Sequence, residues 1–238
     1  TADACVDDDG YVRSLSLFLN ALVLEVEAVA DASGKAPTHT CKSLAKSVCH
    51  LIVRSATVES HTEVDMVQEA MDILAENLQD EHELGSIVTE SFLTVARSPI
   101  SDSNRGAYGP ALILAFHMHQ IAPPPADDGD GDQKFRRDVM DLFGRRVFVL
   151  GGSAPPATPE EVLLAAPLIM ELTKEEFDGA ILRPLKFKLM SSPQETMGTL
   201  AAFVDVLAEA DNGRYVDSHL GGGTNLVGVA LSQIKTEN

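Results

Sequence analysis

The chain has 238 residues, 45% of them hydrophobic, with 36 acids against 18 bases and a formal charge of −18. That charge repels phosphate and excludes broad nucleic-acid binding over the whole surface. Three cysteines (Cys5, Cys41 and Cys49) exclude a secreted disulfide framework. Aromatics at 5% with no Trp suit close-packed helices better than a β-sandwich.

The N-terminus is acidic, with Asp3, Asp7, Asp8 and Asp9, and shows no signal peptide. The longest apolar run, Val162 to Met170, contains Pro167 and is too short to span a bilayer. A start at Thr1 and a stop just after a helical pattern read as a cytoplasmic segment cut from something longer.

Leu15, Phe18, Leu19, Leu22, Val26 and Val29 predict a first helical face, ended by Ser33-Gly34 and Pro37. A second helix is expected from about Thr38 to Thr57, carrying Leu44, Val48, Leu51 and Ile52. Thr62 caps a third, with Val64, Val67, Met71, Leu74 and Leu78. Asp80 with Glu83 reads as a capping box opening a fourth, which holds Leu84, Ile87, Val88, Phe92 and Val95 and stops at Ser98-Pro99. After a turn-rich stretch, Ala111 to Ile121 is apolar on every side and predicts a short central helix.

Pro123-Pro124-Pro125 and the Asp/Gly run to Asp132 predict a mobile acidic loop at about 122–133. Phe135, Val139, Leu142, Phe143 and Val147 give the next helix, closed by Gly151-Gly152, and Thr158-Pro159 with Glu161 begins another. Thr173 with Glu176 is a capping box, opening a helix with Phe177, Ile181, Leu185 and Leu189 on one face. Ser192, Pro193 and Glu195 start a partner helix with Met197, Leu200, Val204 and Leu207 on one face. A final helix, Leu226 to Ile234, follows Gly221-Gly222-Gly223.

No strand alternation is sustained, and a two-helix unit recurs about every forty residues, the range of HEAT-like arrays. The expected fold is all-α: a single α-solenoid segment over 1–238, built of HEAT/armadillo-like antiparallel helix pairs. A closed helical bundle is the structural rival.

Catalysis has no visible foothold. His117 and His119 point about 200° apart on a helix, so both imidazoles reach one ion poorly. Cys41, Cys49 and His50 lack any CxxC partner and read as buried thiols with a boundary histidine. His39, His61, His82 and His219 sit near helix ends or turns. Gly221 to Asn225 lacks the Gly-Lys-Ser/Thr of a P-loop and reads as a turn with a helix cap. No metal or cofactor is expected.

Charge is more informative. Between Ser55 and Ala96 stand ten acids (Glu59, Glu63, Asp65, Glu69, Asp72, Glu76, Asp80, Glu81, Glu83, Glu90) and no Lys or Arg, a face that would attract basic protein segments. Lys134, Arg136, Arg137, Arg145 and Arg146 cluster on one predicted helix as the candidate partner-contact residues, with Arg183, Lys186 and Lys188 on another. The alternative is that both clusters are solvated helix faces.

Glu175-Glu176-Phe177, then Ile181-Leu182, Pro184, Leu185 with Lys186, Leu189, Ser192-Pro193-Gln194-Glu195 and Tyr215 resemble one HEAT repeat of a known family. The stretch looks like the N-terminal region of the very large ribosome-associated translational activator that stimulates the general-control kinase acting on initiation factor two alpha. Pro184 is the most distinctive element, because proline inside a helix costs about 3 kcal/mol. Gln194 stands where the family often has Glu after Pro, and Gly221-Gly222-Gly223 interrupts its usual continuous helix.

The resemblance implies a non-enzymatic scaffold segment that associates with ribosomes and supports kinase activation in amino-acid starvation. Its partners would be the ribosome and translation-control proteins, including the kinase and its regulators, with no membrane and at most local nucleic-acid contact. The family's kinase-binding region lies elsewhere in the long chain, so no binding residue is implied here. The alternative from the acidic face is a HEAT-repeat transport receptor or assembly scaffold that binds basic protein partners.

Overall fold

A computed structural model describes residues 8–55, 62–99, 105–124, 131–142, 144, 162–163, 165–170 and 172–209. The chain is all-helical there, with no strand among the described residues. It forms two compact units, 1–131 and 132–238.

The first unit holds α1 (Asp8–Asp31), α2 (His39–Ser55), α3 (Glu63–Leu78), α4 (His82–Ala96) and α5 (Tyr108–Ile121). Leu15, Leu19, Leu22, Val26 and Val29 are buried along α1, as their spacing demands. The helix ends with Ser33 at φ 59° and the Gly34 N–H donating to the Val29 carbonyl at 2.9 Å, a six-to-one closure. Thr38 then caps α2, its hydroxyl accepting from the Cys41 N–H at 3.1 Å and donating to Glu25 at 2.9 Å. The inner face of α2 is Cys41, Ala45, Val48, Cys49 and Ile52, so both thiols are core groups, while Leu44 and Leu51 are only half-buried.

Thr62 opens α3 with a complete capping box to Asp65. The fourth helix starts differently from the expected box. It begins at His82, after Glu81, without a side-chain cap bond. Asp80 stands at φ 65°, and its N–H donates to the Ile121 carbonyl at 3.0 Å. Asp tolerates this left-handed turn, so the residue ties α4 to the end of α5 instead of capping.

Gly85 lies against Ala122, and the Tyr108 hydroxyl donates to the Pro99 carbonyl at 2.9 Å. These contacts join the start of α4 to the end of α5, and the end of α4 to the start of α5, as an antiparallel pair. Eleven residues of α5 are buried, which follows from its apolar girth, and α2, α3 and α4 all pack against it. By contrast α3 touches α5 and α1 more extensively than α4.

The second unit holds α6 (Gly131–Leu142), α7 (Ala166–Met170), α8 (Lys174–Phe177), a π turn (Asp178–Leu182), α9 (Arg183–Ser191) and α10 (Pro193–Glu209). Helix α6 begins at Gly131, so the 131–133 end of the expected loop is helical, with Asp132 in the first turn where the dipole favours an acid. The expected elements at 158–161 and 226–234, with Tyr215 and the Gly221-Gly222-Gly223 break, lie outside the described residues.

Phe177, Ile181, Leu185 and Leu189 are all buried. Steps of four drift by about 40° each on an ideal α-helix, or about 120° over the three. The wider π turn between Phe177 and Arg183 removes much of that drift and keeps the stripe facing its partner. It also accommodates Pro184. The Arg183 N–H bonds five residues back to the Asp178 carbonyl, and the helix resumes with proline in its first turn.

The face of α10 is turned from the expected one. Thr196, Thr199, Leu200, Phe203 and Val206 are buried, while Met197 and Val204 are half-buried. The large Phe203 ring, which packs on Phe177, sets the rotation.

Candidate functional site

Within the second unit, a cleft of about 730 Å³ opens between α6 and the α8–π–α9 helix. Gln133, Arg136, Arg137, Met140 and Asp141 line one wall, at the three- and four-residue spacing of a single helix face. Thr173, Glu175, Glu176, Gly179, Ala180 and Pro184 line the other.

One charge-assisted fork crosses the cleft. Arg136 donates through Nε to Glu176 Oε1 and through Nη2 to Oε2, both at 2.8 Å. Both side chains are about three-quarters covered, at 25% and 23% exposure. Glu176 also closes its capping box, accepting from the Thr173 N–H at 2.9 Å while its own N–H donates to the Thr173 hydroxyl at 3.3 Å. The guanidinium is the main reason that the Glu176 carboxyl is held down to about 2, with Thr173 assisting and burial opposing. A carboxylate that acidic is a weak general base and is not protonated near neutral pH. The pair therefore joins two helices instead of moving protons.

Gly144 completes the α6 side. A Cβ there would lie 2.7 Å from the Ala180 carbonyl oxygen, the group that Pro184, lacking an N–H, cannot bond four residues on. Glycine permits this close approach.

The five candidate cations part company. Arg136 is engaged with Glu176; Arg137 is exposed on the same cleft; Lys134 is exposed but does not line it. Arg145 and Arg146 lie outside the described residues. The second basic cluster is not one charged face either. Lys188 is buried, Lys186 half-buried, and Arg183 pairs with Asp178 at 2.9 Å.

Two features of this unit are not legible in the sequence. Glu176 was legible as a cap but not as the partner of Arg136, forty residues away. Phe187 (71% exposed) and Met190 (61%) stand in solvent at adjacent turns of α9, and one of them follows Pro184 by a single turn.

In the first unit, the acidic stretch leaves Asp72, Glu76, Asp80, Glu81 and Glu83 exposed, while Glu90 pairs with Arg97 at 2.7 Å. His117 Nε2 donates to the Met71 carbonyl at 3.1 Å, and His119 is buried. Burial lowers the His117 pKa, opposed by that carbonyl and by Asp72. Among the described residues no three His, Cys, Asp or Glu side chains gather as metal ligands, and no helix is long and apolar enough to cross a membrane. No family model, no curated protein and no solved structure matches this chain.

Proposed function

We propose that the chain is a non-catalytic scaffold segment, built from antiparallel helix pairs of the HEAT kind, that works in the cytoplasm as part of a translational activator. It would hold surfaces against ribosomes and support activation of the kinase that phosphorylates initiation factor two during amino-acid starvation. The observation that carries this reading is the two-sided α8–π–α9 helix. Of the residues that carry the family resemblance, Phe177, Ile181, Leu182, Leu185 and Leu189 fill its packed face, while Phe187, Met190 and the Arg137 cleft remain open to a partner. Within the first unit α1 packs on α2 and α4 on α5, and within the second α9 packs on α10, which supports helix pairs as the building unit, although the packing of α2, α3 and α4 on α5 brings the first unit nearer a bundle.

The test is co-sedimentation of the chain with purified ribosomes, compared with its Arg137→Glu/Phe187→Asp variant. The expected result is a ribosome-dependent pellet that the variant loses. A wild-type pellet no larger than the ribosome-free control would refute the reading.

A second reading is favoured by the exposed acids of α3 and α4. There the chain would be a transport receptor or assembly scaffold for basic protein cargo. Salt-sensitive capture of basic cargo without ribosome co-sedimentation separates it from the first.

A further inference from the structure

Helix α1 has a second face. Opposite its buried stripe, Arg13, Leu17, Asn20, Leu24, Glu27 and Asp31 are all exposed. They step by four, three, four, three and four, the heptad spacing of a coiled-coil seam. Leu17 is 69% exposed and Leu24 65%. Ala21 and Ala28 flank them, small enough for a second helix to approach closely.

We propose that this face docks on the same face of a second copy of the chain, antiparallel, about a two-fold axis at Asn20 and Ala21. The register makes the seam self-complementary, as an isologous interface requires. Leu17 meets Leu24 of the second copy, and the reciprocal contact forms on the other side of the axis. Asn20 faces its own equivalent, a polar pair of the kind that fixes register. Arg13 comes opposite Glu27 of the second copy, again twice.

Charge decides the direction. Parallel pairing would set Arg13 against Arg13, Glu27 against Glu27 and Asp31 against Asp31, and like charges directly opposed are unfavourable. Two leucines per copy make a small apolar centre, so the dimer belongs to the weak, concentration-dependent class.

The test is sedimentation velocity of the full chain from low to several hundred micromolar. The expected result is a shift from the 25.4 kDa monomer to twice that mass as concentration rises. Leu17→Glu/Leu24→Glu should remain monomeric throughout with an unchanged melting curve, since both side chains lie in solvent in the monomer. Arg13→Glu should weaken association about tenfold, and Arg13→Glu/Glu27→Arg should restore it. A wild-type chain that stays monomeric at the highest concentration overturns the proposal. So does a dimer indifferent to the leucine substitutions, and so does a charge swap that fails to rescue, because only antiparallel pairing restores opposite charges.

Discussion

The ring of Phe177 stands edge-on to that of Phe203, with centroids 6.2 Å apart and planes at 82°. Both are fully buried, and their contact joins α8 to α10. We expect Phe177→Ala to destabilise the second unit by about 3–5 kcal/mol through the cavity left behind. Phe203→Ala should cost a similar amount, and a double-mutant cycle should return a coupling of about 0.5–1.5 kcal/mol. Thermal melts of the four proteins measure this; a near-native melt for Phe177→Ala would contradict the packing.

Gly85 gives a case where the usual sign reverses. Replacing a helix-interior glycine with alanine normally stabilises by up to about 1 kcal/mol. Here the new Cβ would run into the Ala122 Cβ and lie 3.0 Å from the Ala122 carbonyl oxygen. Gly85→Ala should therefore destabilise the α4–α5 pair, by about 1–3 kcal/mol from overpacking. Denaturant unfolding of the variant reads the sign directly.

Glu176 links the second unit to acid. Its carboxyl titrates near 2 when folded and near 4.5 when free, so the stabilisation is complete above the higher value. It is lost as pH falls from about 4.5 toward 2. Arg136→Met removes the fork, and the Glu176 carboxyl resonance should then titrate much closer to its ordinary value. With both side chains partly solvated, the cost at neutral pH should be about 1–2 kcal/mol.

His117 acts on the first unit over a milder range. Folding favours its neutral form, because burial lowers its pKa below the ordinary 6.5. Stability is therefore full above about 6.5 and declines below it, as the unfolded chain takes up a proton that the folded chain resists. His117→Gln keeps a donor for the Met71 carbonyl and removes the titration. The difference in unfolding free energy between pH 7 and pH 5.5 should shrink in that variant.

Periodicity made the helices legible because burying one stripe per helix is what stabilises them. Leu15 to Val29 on α1 needed only their spacing, whereas Phe177 to Leu189 on α8–α9 keep to one face with the help of the π turn between them. Caps were legible where a side chain makes its own local bond, as at Thr62 and Thr173. They misled at Asp80, whose conformation is set by the distant Ile121 carbonyl.

The same division governs the cleft. Its α6 wall is a helical face written in Gln133, Arg136, Arg137, Met140 and Asp141, but the Arg136–Glu176 fork depends on how two separated helices meet. The rotation of α10 toward Phe203 was hidden for a related reason. One aromatic ring outweighed a regular aliphatic pattern, and ring packing has no sequence period.

Cys41 and Cys49 lie on the core-facing side of α2, and burial raises the Cys49 pKa far above its ordinary value, leaving almost no thiolate there to react. Neither sulfur meets an aqueous disulfide reagent while the first unit stays closed. Their labelling rates therefore time its breathing, and in the fast-reclosing limit they measure the free energy of opening under native conditions.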